Sequence, residues 1–434
     1  MGKLLRSVAV LLGLGICSIP AFFVVVVAQI LSLFRSKSHI TPSGRTVLLT
    51  GGKMTKCLQL ARMFYANGDR VIVAETKAYK YCGTRFSNAV DKFIIIPDIE
   101  GNGAAFCQAL VDIARSEKVD LFVPVSSPKS ALFEAMAKHD FPYHTKVFQF
   151  DANIIKKLDD KHQFIKQAAA FGLSVPESYV IDSKETLLSH QFTEGKKYIL
   201  KKIDYDPVYR LDLRTLPHSG WKERVTGLPI SPEDPWVLQE FIEGREVCTH
   251  TTTQNGAINL YICCDSSPFQ VNYRMLDLPN VKMWVTSFVS QLNATGQISF
   301  DFIIKNDGTV MPIECNPRTH SAITLFHDQL SAAAAYYTVE KQEEFLPDAA
   351  AGHTYWHYHE MHRILKSTSF KEFSYLWQRI CSGKEAVFKG SDPWPFFLNN
   401  HISIPYQLVS NMRSGNTWTG IDFNIGKLIT PGGD

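Results

Sequence analysis

Gln297–Asn316 reads QISFDFIIKNDGTVMPIECN, two β-prone runs on either side of Asn306-Asp307-Gly308. That triplet is a strong turn signal, since its residues tolerate the backbone conformations a tight loop requires. With Asn306–Thr309 as a four-residue loop, Lys305 pairs with Val310, and four residues back along each strand Asp301 faces Glu314. Directly opposed residues have Cβ atoms about 4.5 to 5.5 Å apart, where two carboxylates repel. A fold that keeps both needs a compensating cation. Asn316, two residues beyond Glu314, projects from the same face and adds a neutral oxygen. Two carboxylates and an amide oxygen are hard ligands, suited to Mg²⁺ that keeps its other positions for water and phosphate oxygens. The alternative is an ion pair to a basic neighbour such as Arg318. The apolar flank of Phe300, Phe302, Ile303 and Ile313 argues against a wholly exposed pair.

Upstream, Val281–Leu292 has helical periodicity, while Lys197–Ile203, Trp236–Ile242, Glu246–Thr253 and Ile258–Cys264 predict strands of an antiparallel sheet. A long irregular stretch, Asp204 to Asp234, separates the first two. Helical pattern also covers Asn153–Phe171 and stops at Gly172. Nearer the amino end, strands at Thr46–Thr50, Arg70–Ala74, Phe93–Ile96, Leu121–Val125 and Val147–Phe150 alternate with helices. Those helices run from Met54 to Tyr65, Ala104 to Ser116 and Lys129 to Lys138, which predicts a parallel, doubly wound sheet. The chain therefore reads as α/β followed by α+β. Its divisions are an apolar segment 7–34, a Rossmann-like domain 45–151, a second domain 152–330 and an aromatic-rich region 331–434.

Residues Ser7–Phe34 are 28 without a charge, 21 of them apolar, bracketed by Lys3 and Arg6 before and Arg35, Lys37 and Arg45 after. At 1.5 Å per residue such a helix reaches about 42 Å, more than the ~30 Å hydrocarbon core. It is too long for the core of a signal peptide, so a membrane anchor is expected, either spanning or turned into a hairpin at Pro20. Lys+Arg 45 against Asp+Glu 42 gives +3, which offers no bulk field for nucleic acid. The nine cysteines include no CxxC pair and lie mostly in apolar runs, as buried thiols of a reducing compartment do. The body is therefore expected on the cytoplasmic side of the membrane.

An Asp on one strand and Glu-x-Asn thirteen residues on resembles the magnesium motif of the ATP-grasp superfamily, in which Arg318 corresponds to a residue that often contacts the transferred phosphate. Further elements of that pattern occur in order upstream. Asp160-Lys161 with Gly172-Leu173-Ser174-Val175-Pro176 is similar to the first nucleotide lysine and its following turn. Lys201 in Tyr198-Ile199-Leu200-Lys201 is similar to the second lysine. Gln239-Glu240-Phe241-Ile242-Glu243-Gly244-Arg245-Glu246 resembles the hinge, where Gln239 and the Ile242 backbone would meet adenine and Glu246 the ribose. The resemblance implies an ATP-grasp fold of two α+β subdomains, ATP, two Mg²⁺ ions on Asp301, Glu314 and Asn316, and phosphates met by Lys161 and Lys201. One departure stands out: no glycine-rich loop follows Lys201, and Arg210 is the candidate to cover the phosphates, with an ion pair to Asp206 or Asp212 as its alternative.

The Leu49–Lys56 turn, Arg85–Asp91, Arg210–Leu213, Glu314–Thr324, Tyr358-His359-Glu360 and Ile421–Leu428 resemble the mycosporine-glycine synthase family over nearly the whole chain after the apolar segment. That likeness implies an ATP-dependent ligase in which the cyclohexenone 4-deoxygadusol is phosphorylated and then condensed with glycine. A carboxylate–amine ligase with another acceptor and amine, or a tethered ATP-binding protein without turnover, would share many of these motifs. Gly51 and Gly52, between a strand and a helix start, and Ser126 and Ser127, at another strand end, are candidate acceptor contacts or plain structural turns. His320 and Ser321 follow Arg318 and either meet the acceptor or make local turn hydrogen bonds. His357, His359 and His362 lack zinc spacing and are expected to be packed histidines.

Overall fold

In the computed structural model the description covers residues 2–34, 40–125, 127–203, 209, 212, 214–266, 272–337 and 343–430. The chain opens with α1 (Gly2–Leu33), one helix that runs through Pro20 and is not a hairpin. Then β1 (Thr46–Thr50), α2 (Thr55–Ala66), β2 (Arg70–Thr76), β3 (Lys92–Ile96), α3 (Gly103–Ser116), β4 (Leu121–Val123), α4 (Pro128–Met136) and β5 (Lys146–Val147) form the expected parallel sheet, in order β3-β2-β1-β4-β5. β1 is apolar throughout because both of its faces are covered: Val47 and Leu49 pack toward α2, Leu48 toward α3. β5 is shorter than the predicted Val147–Phe150, although Phe148 N still donates to Phe122 O.

The predicted helix Asn153–Phe171 is two helices, α5 (Ala152–Asp159) and α6 (Lys161–Ala170). Asp160 breaks them: its backbone is extended, and its carboxylate caps α6 by accepting from the amides of His162 and Gln163. The break sets Lys161 at a helix start.

Next come β6 (Ser178–Ile181), α7 (Lys184–Leu188), β7 (Tyr198–Lys202), β8 (Thr215–Leu216), α8 (Trp221–Thr226), β9 (Trp236–Glu240), β10 (Arg245–Gln254), β11 (Ala257–Asp265), β12 (Asn272–Arg274), α9 (Pro279–Leu292), β13 (Gly296–Ile304) and β14 (Val310–Asn316). The strand patterns, read one by one as a single antiparallel sheet, form two, β6-β9-β7-β8 and β11-β10-β13-β14, as the two α+β subdomains implied by the resemblance require. The chain passes from one to the other over 241–244. A Cβ at Gly244 would lie 2.2 Å from Ile304 O, so only glycine allows the crossing so close to β13.

The hairpin differs from expectation in a way that cancels. Its loop is one residue longer, with Ile304 opposite Val310, and Ile313 then bulges so that Asp301 returns opposite Glu314. The bulge adjoins Pro312, which has no amide hydrogen to give the ladder. Behind the hairpin, Phe164 of α6 and Trp284 and Phe288 of α9 pack on Phe300 at ring-centroid distances of 5.8, 5.4 and 5.2 Å, which fixes α6 to the strand pair.

The last region contains β15 (His353–Tyr355), α10 (His357–Lys366), α11 (Phe370–Ser382), β16 (Lys384–Glu385), α12 (Trp394–Leu398), α13 (Ile404–Arg413) and the ribbon β17 (Gly420–Asp422) and β18 (Lys427–Ile429). It folds back on the first domain. Arg62 pairs with Asp392 at 2.9 Å, and Thr55 donates through both N and Oγ1 to Asn424 O.

Candidate active site

The site is built where α6, β7, β9, β10, β13 and β14 meet. Asp301 and Glu314 are opposed across the hairpin, and Asn316 Nδ2 lies 3.5 Å from Asp301 Oδ2. Burial, then the charges of Glu314 and Glu246, push the Asp301 carboxyl up to about 8. The acids thus crowd one another as predicted, and the donor set fits a divalent cation, which would relieve that repulsion. Among the described residues no group of His, Cys, Asp and Glu large enough to hold a metal without the amide occurs, including around His357, His359 and His362. His359 instead accepts from Phe423 N at 3.3 Å.

Arg318 does not neutralise the acid pair. It reaches Asp159 Oδ1 at 2.7 Å through Nη1 and donates to Asn316 Oδ1 through Nη2. It is thereby held at the hairpin's end with its position set from α5.

Lys161 donates to Ile203 O at 3.0 Å and stands 3.8 Å from Glu314 Oε1. Lys201 donates to Gln239 Oε1 at 3.0 Å. Burial first, and Lys161 as a like charge, hold the Lys201 ammonium below its ordinary range, while Glu314, Asp301 and Glu246 oppose that fall. Two lysines and three carboxylates therefore share one low-dielectric cleft. Gln239 is buried, and its Nε2 has no partner among the described residues. At the hinge, Glu240 N and Phe241 N donate to Glu177 O and Lys197 O, both at 2.8 Å. The Glu240 carboxylate is spent too, on Glu177 N and Lys196. Farther along the hinge, Ile242, Glu243 and Gly244 make no backbone hydrogen bond among those described. Glu246 Oε1 accepts from Ser266 Oγ at 3.0 Å.

At the turn after β1 three amides are used within the fold: Lys53 N donates to Glu75 Oε2, Met54 N to Gly51 O and Thr55 N to Asn424 O, each at 2.9 Å. A Cβ on Gly51 would lie 2.0 Å from Val125 O and one on Gly52 2.9 Å from Val73, so close packing requires both glycines. Gly51 nevertheless borders a cavity of about 640 Å³, together with Thr50, Lys53, Glu75, Ser127 and Glu134 from the sheet side and Gln407 and Asn411 from α13. Ser127 caps α4 through Ser130. Ser126 and Arg210 lie outside the described residues; Asp212, the suggested partner of Arg210, is engaged by Arg214 and Arg224.

The side chain of His320 is used locally and that of Ser321 across the fold. His320 Nδ1 accepts from Ala322 N, and Ser321 Oγ accepts from Asn424 Nδ2. Burial, with Lys56 and Arg318 nearby, pushes His320 down to about 3, so it is a neutral ring. Two residues were not singled out from the sequence. Glu134, buried and pushed up to about 8 mainly by desolvation, accepts from Thr50 Oγ1 at 2.6 Å. Lys56, buried and brought down to about 7 by desolvation and Arg318, donates to Thr319 O at 2.6 Å. Lys56 ends the Leu49–Lys56 motif, and its burial could not be read from the pattern of α2, whose Gln59 and Arg62 are buried as well.

This architecture is the ATP-grasp fold: a parallel-sheet domain, then two antiparallel sheets joined by a hinge, with acids on the last hairpin. Among solved structures it resembles N5-carboxyaminoimidazole synthetase from Staphylococcus aureus complexed with ADP (TM-score 0.53, 14% identity, 70% of this chain and 80% of that one). It also resembles the biotin carboxylase domain of Hydrogenobacter thermophilus 2-oxoglutarate carboxylase in complex with MgADP, ADP and bicarbonate (0.53, 10%, 69% and 71%). A third is biotin carboxylase from Campylobacter jejuni (0.52, 15%, 71% and 74%). At these identities the likeness is one of fold. No family model matches the sequence, and no curated protein matches it at a significant level.

Proposed function

We propose that the chain is an ATP-dependent carbon–nitrogen ligase that phosphorylates an oxygen of a small cyclic enolic acid of the 4-deoxygadusol type and joins that carbon to glycine, giving mycosporine-glycine, ADP and phosphate. The observation that carries the ligase reading is the convergence of Lys161, Lys201, Glu246, Asp301, Glu314, Asn316 and Arg318 on one cleft beside the hinge. The choice of acceptor and amine rests on the sequence resemblance.

In this reading Gln239 and Ile242 hold the base, Glu246 the ribose, and Lys161 and Lys201 the phosphates. Asp301, Glu314 and Asn316 would hold Mg²⁺, two ions by the resemblance, which supplies charge neutralisation on the β- and γ-phosphate oxygens. Arg318, steadied by Asp159, faces the phosphoryl group in flight. The γ-phosphorus bond to its bridging oxygen breaks as a bond to the acceptor oxygen forms. The amine then adds to the activated carbon, phosphate leaves with the acceptor oxygen, and the amine loses a proton. The cavity lined by Thr50, Gly51, Ser127 and Glu134 is the acceptor's place, and its neutral carboxyl and hydroxyls suit a hydroxylated ring. Lys56 ties α2 to the residue after Arg318 through the Thr319 carbonyl. An ATP-dependent body of this kind works in the cytoplasm.

A second reading, an ordinary carboxylate as acceptor, is favoured by Lys53 and Lys129 on the same cavity wall. The test is product mass from purified protein with ATP, Mg²⁺ and a panel of acceptors and amines. A near-ultraviolet-absorbing product and stoichiometric phosphate from 4-deoxygadusol with glycine are expected. Turnover with a different pair retains the ligase and discards these substrates; no acceptor-dependent ATP cleavage discards the ligase.

A further inference from the structure

We infer that α1 is an in-plane membrane anchor: it stays docked on the protein body along one face and lays its opposite face into a single leaflet, without spanning the bilayer. The helix Leu4–Leu33 is long and apolar enough to cross, with a mean hydropathy of 2.7. Its packing argues for another placement. Ser7, Leu14 and Val25 are buried against the body, with Leu11 and Ala21 packed between them on the same stripe. Polar contacts pin that stripe. Trp418 Nε1 donates to Ser7 Oγ at 2.9 Å, and Arg6 donates to Thr419 O at 2.8 Å while its guanidinium lies 4.2 Å from the Trp418 ring centroid. His401 Nδ1 donates to Leu14 O at 3.0 Å and its Nε2 accepts from Tyr358, so both ring nitrogens are committed. Farther along, Phe22 meets Phe397 and Trp394 at 5.6 and 6.3 Å.

From Arg6 to Val25 these contacts extend along roughly 28 Å of helix. The free remainder, 26–33, is about 12 Å, less than half a hydrocarbon core. A span would have to strip the stripe from the body and carry Ser7 and the Arg6 contact away from their partners.

The other face is apolar and open. Leu5, Leu12, Ile16, Ile19, Phe23 and Val27 are each more than half exposed. At 100° per residue they centre about half a turn from the docked stripe, and the exposed apolar positions fan over an arc on the order of 200°. A second copy packed helix to helix would cover a stripe about as narrow as the one the body covers, leaving much of that arc in water. A leaflet covers it at once. In the sequence, basic residues flank the uncharged run, Lys3 before it and Arg35 and Lys37 after it, a composition that favours anionic headgroups.

The test uses the full chain with Cys17 and Cys381, the exposed thiols, replaced by Ser. Single nitroxides at Leu5, Leu12, Ile19 and Ile30, and at docked Leu14, are read for oxygen and nickel-chelate accessibility on vesicles of phosphatidylcholine with phosphatidylglycerol. A shallow and uniform depth at the exposed positions, with Leu14 outside the lipid, is expected. Depth that rises to a maximum at Ile19 and falls toward Ile30 means a span and overturns the inference. So do labels indifferent to vesicles in a chain that sediments as a dimer. Independently, Ile16→Asp with Ile19→Asp, both on the exposed face, should lower vesicle partition at least tenfold with melting temperature and ATP turnover in detergent unchanged; unaltered partition rejects the proposal.

Discussion

The ammonium nitrogen of Lys56, on α2, donates to the carbonyl oxygen of Thr319, the residue after Arg318, at 2.6 Å. A buried lysine thus spans from the parallel-sheet domain to the end of the acidic hairpin. Replacing it by Met leaves that carbonyl unpaired, at a cost of roughly 1 to 3 kcal/mol. Lys56→Met should lower the melting temperature by several degrees and kcat on the order of tenfold, while MgATP affinity measured by titration calorimetry changes less than threefold. A selective loss of nucleotide binding would instead place Lys56 in the nucleotide site.

Glu314→Gln keeps the hydrogen-bonding shape of the hairpin and removes one of the charges opposed across it. Acceptor-dependent phosphate release should fall on the order of a hundredfold or more, with a raised Mg²⁺ requirement. Undiminished turnover would sink the metal assignment of the Asp301–Glu314 pair, and a change in Mg²⁺-linked nucleotide affinity alone would point to a binding protein without turnover.

Lys201 is buried and its charge is disfavoured there. A charge kept at such a site is expected to cost stability for the sake of binding. Lys201→Met should therefore raise the dissociation constant for MgATP tenfold or more, and leave the apo melting temperature equal or higher. A clear drop in apo stability contradicts this account.

Glu134 supplies the pH prediction. Its folded value of about 8 lies above the ordinary 4.5, so between these limits the folded state holds a proton that the unfolded state has lost. Stability from this group is complete below about 4.5 and is lost as pH rises through 8, with a slope of at most about 1.4 kcal/mol per pH unit. Glu134→Gln should flatten the decline in unfolding free energy between pH 5 and 8. An unchanged slope rules out Glu134 as its source.

The elements with strong local signals were legible. Asp301 opposite Glu314 followed from turn chemistry and strand period, yet through a loop and a bulge that each shift the register by one residue. The break at Asp160 was harder, because the apolar pattern runs across it and only the cap chemistry of one aspartate divides the helix. Two antiparallel sheets were read as one, since strand patterns carry no information about partners and the crossing depends on the missing side chain of Gly244. Local sequence left the turn at Gly51 open between an acceptor contact and a plain turn. Residues 75 and 424, distant in the chain, take the amides of Lys53 and Thr55. Lys56 and Glu134 escaped notice because a polar residue on a helix gives no sign in the sequence of what it faces across the fold.

Asn424 accepts from Thr55 at the head of α2, and gives its side-chain amide to Ser321. The partners in the first contact are 369 residues apart. On the ribosome, the first domain can therefore assemble its sheet early, but the amide at the start of α2 waits until residue 424 has emerged. Closing so long a loop adds little more entropy cost than closing a moderate one, though it postpones the contact. A polypeptide cut short before this ribbon lacks the clasp that holds α2 and the segment beyond Arg318 together, so the acidic hairpin and the cavity beside Gly51 come into register only once the ribbon has been made.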